Sequence, residues 1–217
     1  MPLAVAACAE SGRVVPPAGK KTPPRYLAIG DSFTIGTGST PDRAFPARLV
    51  ERWRAQGCTA TLENVAVNGY TTEDIIGAEL PVVASFHPTF VTIAAGANDI
   101  VQGRSIDAYR VSVRAILDAV KASGARIVVL PQPDWSQSPS AAGFGSRESL
   151  ADAIKRFNAA LAEEARAKGA EYADLTPLMQ EQAASAQLAS DGLHPSATAY
   201  DAWAGELAKT LRSPCQD

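Results

Sequence analysis

The chain has 217 residues, 46% of them hydrophobic and 20% charged, and a formal net charge of −3. That length suits one domain with a full core. The mild acidity leaves no basic field of the kind nucleic acid requires, so nucleic-acid partners are set aside, and no apolar run approaches the ~20 residues that span a bilayer. The cysteines (Cys8, Cys58, Cys215) are widely spaced and the histidines are only His87 and His194. Neither pattern suits a metal site, and none is expected.

In chain order, residues 1–24 read as a segment outside the domain, which spans 25–217. Val5-Ala6-Ala7-Cys8 resembles a bacterial lipobox, in which the cysteine is lipidated after cleavage, although no charged n-region precedes it. That reading makes Met1–Cys8 a truncated signal, Cys8 a lipid anchor and the protein extracytoplasmic. The other open reading is a frayed cytosolic N-terminus. Glu10–Pro24, with Pro16, Pro17, Pro23 and Pro24, has linker composition.

From Arg25 strands and helices alternate. Strand one is Arg25–Gly30, and a helix over 44–56 carries Leu49, Val50 and Trp53 at helical spacing. Strand two is 60–67. A helix starts near Thr71, where Thr71-Thr72-Glu73-Asp74 supplies cap and acidic first turn. Strand three is 89–95, and a helix over 106–122 offers Val111, Ile116, Leu117 and Val120 for burial. Strand four is 126–130, followed by a long loop over 131–145. A helix over 146–168 is closed by Gly169. Strand five is 171–174, a short helical piece covers 177–186, and the last helix runs from Pro195 to Leu211. Repeated βα units with short apolar strands predict a parallel five-stranded sheet covered on both faces, a three-layer αβα sandwich.

The loops after the strands share one edge of such a sheet, where ligands sit in open α/β folds. After strand one come Asp31 and Ser32; after strand two, Asn68 and Gly69; after strand three, Gly96, Asn98 and Asp99. Beyond strand five come Asp191 and His194. A serine hydroxyl becomes a nucleophile when a base takes its proton. His194 is the likelier base on its placement, and Asp191, three residues earlier, could accept from one ring nitrogen while the other faces Ser32. An acyl-transfer transition state needs donors aimed at the developing oxyanion. The backbone N–H of Ser32, that of Gly69 and the Asn98 side-chain amide are the candidates.

Gly30-Asp31-Ser32, Gly69, Gly96-Ala97-Asn98-Asp99 and Asp191-Gly192-Leu193-His194 resemble, in order, the four blocks of the SGNH (GDSL) hydrolase superfamily, over roughly residues 25–212. The resemblance implies a flavodoxin-like fold, no cofactor, and hydrolysis of small-molecule esters or thioesters through an acyl-enzyme. It assigns Ser32 as nucleophile, His194 as base, Asp191 as its orienter, and Ser32, Gly69 and Asn98 as oxyanion donors. No Gly-x-Ser-x-Gly elbow marks an ordinary α/β-hydrolase.

Substrate is not legible at this level. Short-chain carboxylic esters are the main expectation; lysophospholipids, acyl thioesters and O-acetylated carbohydrates use the same machinery. A reading of another class is a surface-anchored binding protein that kept the fold and lost turnover. Trp135 and Phe144 in the 131–145 loop are candidates for the substrate wall, against the plainer reading that they anchor the loop to the core. The tract Gly36–Ala44 is a second rim. Asp31 and Asp99 read as structural, and His87-Pro88 as a surface turn. Cys58 and Cys215 each lie just past a helix on the same expected face, so a disulfide and two free thiols are both open.

Overall fold

The computed structural model describes residues 22–216. Cys8 and nearly all of the 1–24 segment therefore lie outside the described residues. The strands are β1 (Arg25–Gly30), β2 (Thr61–Asn64), β3 (Phe90–Ala94), β4 (Arg126–Val129) and β5 (Glu171–Tyr172). They form one parallel sheet in the order β2-β1-β3-β4-β5. The chain moves one way from β1 to β2, then crosses to the other side of β1 for β3. The crevice outside the carboxyl ends of β1 and β3 is therefore the topological switch point, where open sheets bind ligands. Gly30 pairs with Ala94, so the turns after both strands leave the sheet at one level.

The helices are α1 (Ser32–Ile35), α2 (Phe45–Ala55), α3 (Thr72–Asp74), α4 (Leu80–Phe86), α5 (Ala97–Val101), α6 (Ile106–Ala122), α7 (Arg147–Lys168), α8 (Thr176–Ala184) and α9 (Ala197–Thr210). A π-helical turn, Ile75–Glu79, joins α3 to α4. Alternation along the strands sends side chains to two cores. Tyr26, Ala28, Phe90 and Val128 face Leu49 and Trp53 of α2 and Trp203 and Leu207 of α9. Leu27, Ile29, Val91, Ile93, Ile127 and Val129 face Val83 of α4, Ile116 and Val120 of α6, and Leu161 of α7. The three-layer αβα sandwich is thus present, with both faces of the sheet covered.

Local signals explain the well-placed ends. Ser105 and Ser146 cap α6 and α7 by accepting from Ala108 N and Ser149 N, and Gly169 closes α7 in the left-handed region. Thr71 and Asp74 form a reciprocal capping box at α3.

The differences are equally physical. Val111, expected inside, is 62% exposed. The buried stripe of α6 is Tyr109, Val113, Ile116, Leu117 and Val120, and Val111 falls ~200° around the helix from Tyr109. β2 and β5, the edges of the sheet, are shorter than expected. The 131–145 loop is not plain loop: it holds 3₁₀ turns at Trp135–Gln137 and Pro139–Gly143. The last helix begins at Ala197 rather than Pro195, because Ser196 is its cap, accepting from Ala199 N.

α2 and α9 lie side by side, and Arg48 and Arg52 of α2 both reach Asp201 of α9. Past their ends, Cys58 and Cys215 are joined by a disulfide with Cα atoms 5.6 Å apart. This bridge sits at the amino edge of the sheet, just before β2, away from the carboxyl-edge rim.

Candidate active site

β1 ends on Gly30, and Asp31 caps the single turn of α1, its Oδ1 accepting from Phe33 N at 3.0 Å. That cap turns the chain sharply and sets Ser32 at the first position of the turn, 8% exposed.

Gly69 follows β2 with φ +82°, a left-handed conformation that only glycine adopts without strain. An added Cβ there would meet nothing within 4 Å, so the turn itself, not crowding, selects the glycine. Asn98 lies in the first turn of α5. Its Nδ2 donates one hydrogen to Tyr70 O at 3.0 Å, which aims the amide and leaves the second N–H available.

The loop before α9 is organised by Asp191. Its Oδ1 accepts from Leu193 N and His194 N, both at 2.9 Å, and its Oδ2 meets His194 Nδ1 at 2.7 Å. Ser140 Oγ donates to Asp191 O at 2.7 Å, tying this loop to the 131–145 loop. Burial works against the Asp191 carboxylate, but the three hydrogen bonds outweigh it and hold the group below the usual carboxylate range. The His194 ring, hydrogen-bonded through Nδ1, lies 5.4 Å from the Phe33 ring.

A cavity of about 240 Å³ opens on this rim, and Ser32, Gly69, Asn98 and His194 all line it. Asp191 stands behind His194, in contact with its ring. Trp135 and Phe144 also line the cavity, their rings 6.0 Å apart and nearly perpendicular. Trp135 is buried, whereas Phe144 is 48% exposed at the mouth. A smaller apolar cavity of about 30 Å³, lined by Met179, Leu188 and Trp203, shares Trp135 and Leu193 as its wall. His87 lies at the opposite, amino edge, closing α4 in the left-handed region.

Asp99 accepts from Thr72 N and Oγ1 and pairs with Arg104 Nε at 3.3 Å, tying the loop after β2 to the one after β3. Thr37, from the 36–44 tract, donates through its hydroxyl to Asn68 Oδ1 and accepts from the Tyr200 hydroxyl through its carbonyl.

Some contributors were not legible in advance. Ala97, Val101 and Leu193 also line the cavity. Glu79 is buried with its Oε2 accepting from Gly30 N at 2.9 Å, directly behind the turn that carries Ser32. The signal for Glu79 was present: it shares the helical stripe of Ile75 and Val83, so it had to point inward.

A parallel αβα sheet thus brings a serine, an amide and a histidine together on its switch-point rim. The chain belongs to the GDSL-like lipase/acylhydrolase family, whose model matches residues 28–202. By that membership it is a hydrolase of carboxylic esters. It is 27% identical over 189 residues to the thioesterase 1/protease 1/lysophospholipase L1 of Escherichia coli (strain K12), covering 86% of this chain and 82% of that one. Among solved structures it resembles the psychrotrophic esterase EstA of Pseudoalteromonas sp., with TM-score 0.71, 19% identity and coverage of 89% and 99% of the two chains. An acetylxylan esterase from Geobacillus stearothermophilus aligns with TM-score 0.72, 17% identity and coverage of 87% and 95%. These two likenesses concern the fold.

Proposed function

We propose that Ser32 is the nucleophile, His194 its base and Asp191 the group that holds His194, with Ser32 N–H, Gly69 N–H and the free N–H of Asn98 receiving the oxyanion. The single observation that carries this reading is the Asp191–His194 pair at 2.7 Å beside a cavity that Ser32, Gly69 and Asn98 share. In the first half-reaction His194 takes the Ser32 proton as Oγ bonds to the ester carbonyl carbon. The tetrahedral oxyanion collapses, His194 returns the proton to the departing alcohol, and an acyl-serine remains. Water then repeats the sequence, releasing the acid and restoring Ser32.

The preferred substrates in this reading are esters of small or short-chain acyl groups. A cavity of about 240 Å³ lies below the usual ~300–1,000 Å³ of drug-sized sites. Val101 and Phe144, exposed large apolar residues, line it, and Val67 is exposed just before Asn68. That rim favours an apolar acyl or alcohol group over an acetylated sugar. The bonded Cys58 and Cys215 support an oxidising, extracytoplasmic compartment. A lipidated Cys8, joined to the domain through the Glu10–Pro24 linker, would keep the domain at a membrane surface; among the described residues no helix is long and apolar enough to cross one.

The test is hydrolysis of activated acyl esters of increasing length, with Ser32→Ala and a serine-directed fluorophosphonate in parallel. The alanine variant keeps the backbone N–H and loses only the hydroxyl. Its expected loss is at least ~10³-fold in kcat, with the label on Ser32 of the unaltered protein. Equal slow hydrolysis by both proteins with no label on Ser32 would sink the assignment.

A further inference from the structure

Three buried carboxyls gather around the turn that carries Ser32: Asp31, Asp99 and Glu79, exposed by 0%, 0% and 1%. Asp99 is matched by the Thr72 donors and Arg104. The other two are not. Glu79 Oε2 accepts from Gly30 N and Asp31 Oδ1 from Phe33 N, but Glu79 Oε1 and Asp31 Oδ2 are buried without a well-formed hydrogen bond, the Ala97 backbone giving Asp31 only a looser contact. Thr34 Oγ1 beside them is also unpartnered; a Cβ on Gly30 would sit 2.3 Å from it. Among the described residues no cation forms an ion pair with Asp31 or Glu79, and no group of three such side chains could hold a metal ion.

Unpaired carboxylates in a dry interior are prohibitive, and the ordinary outcome is that such groups keep their protons. We propose that Asp31 and Glu79 are held as neutral carboxylic acids that position the nucleophile turn, and that alkaline pH ionises them and disables it. The proposal rests on Ser32 being the nucleophile. A proton on each acid removes the buried charge that the unpartnered oxygens would otherwise carry. Negative charge one residue from Ser32 would also oppose the charge that builds on the substrate oxygen; neutral acids do not. Burial pushes Asp31 up to about 7 and Glu79 up to about 8, against the backbone hydrogen bonds that each accepts. The other charges and titratable groups in reach are few. Asp99 on the β3 side is itself pushed up by burial, against the Thr72 donors and Arg104, and Tyr109 of α6 and Tyr200 of α9 are pushed well up by burial. His194, across the Phe33 ring, has Asp191 as its own partner.

Glu79 rises from 4.5 to about 8 on folding, so the folded chain holds an extra proton between those values. Its contribution is full below 4.5, declines as pH rises toward about 8, and is gone above. Glu79→Gln keeps an acceptor for Gly30 N and the shape of the neutral acid. The expected result is equal Tm at pH 5 and a Tm several degrees above the unaltered protein at pH 9. Because pH 9 is one unit above the Glu79 value, ionised Glu79 should lower kcat of the unaltered protein about tenfold below that of the variant, beyond the loss from Asp31 that both proteins share, with KM unchanged.

Infrared titration of the unaltered protein carrying ¹³C-labelled glutamate should show a protonated glutamate carbonyl at pH 6 that disappears by pH 10. This measurement decides the protonation state if the variant does not fold. Diverging Tm curves and the infrared band persist even if Ser32 proves not to be the nucleophile. Parallel Tm curves, or no protonated glutamate at pH 6, overturn neutral acids. Diverging Tm with superimposable kcat profiles overturns the positioning role.

Discussion

Replacing Asp191 by Asn probes the hydrogen-bonded heart of the rim with the least disturbance. Asp191 makes two kinds of contact: Oδ1 holds the loop backbone through Leu193 N and His194 N, and Oδ2 holds the His194 ring at 2.7 Å. An asparagine that keeps its oxygen toward the two backbone donors retains the loop. Its NH₂ then faces His194 Nδ1, which must become an acceptor, so the ring proton moves to the nitrogen that should take the Ser32 proton. The wrong tautomer costs roughly 10³–10⁴-fold in kcat in serine hydrolases, about 4–5.5 kcal/mol of transition-state stabilisation. Asp191→Ala would also lose the two loop bonds, each worth ~1–2 kcal/mol of stability. The assay is kcat and KM on an activated short-chain ester, with Tm measured on the same samples. The expected pattern is unchanged Tm for Asn, lower Tm for Ala, and a collapsed kcat in both. An Asn variant within tenfold of the parent kcat would refute the orienting role of Asp191.

Asn98→Ala should lower kcat by ~10²–10³-fold with little change in KM, since an oxyanion donor acts mainly in the transition state; a larger effect on KM would argue for a substrate-binding role instead. Serine at both Cys58 and Cys215 should lower stability by ~2–4 kcal/mol, as expected for a long closed loop, while ester hydrolysis at 25 °C persists because the bridge lies at the amino edge. Two free thiols in non-reducing mass spectrometry would remove that expectation. Phe144→Ala should leave Tm nearly unchanged and alter the acyl-length profile, whereas Trp135→Ala should cost ~3–5 kcal/mol through the cavity it opens; an unchanged profile in the Phe144 variant would exclude it from the substrate wall.

Much of the architecture was legible because it depends on local periodicity and end chemistry. β1 and α6 run between the expected residues, and α7 is capped and closed by the residues that favour those ends. Val111 misled because valine is apolar whichever way it points; only the phase of the whole stripe, from Tyr109 to Val120, shows that it faces outward. Trp135 and Phe144 illustrate a different limit. Trp135 packs in the core and also lines the cavity, while Phe144 lines it from an exposed position, a division of labour that the residue types alone do not reveal.

By itself the sequence determined the alternation of strands and helices, and hence a parallel sheet whose loops carry Ser32, Gly69, Asn98, Asp191 and His194 to one edge. These are properties of short-range pattern, set by side-chain alternation and backbone preference within each segment. Only the tertiary structure decided that the edge closes into a single cavity, and that Asp191 grips both its own loop and the His194 ring. The same holds for the joining of Cys58 to Cys215 and for the placing of Glu79 behind Gly30. Those facts depend on how β1 and β3 align and how α2 meets α9, contacts between residues far apart in the chain. Burial, which governs the charge of Asp31 and Glu79, belongs to the packed molecule and to no segment of it.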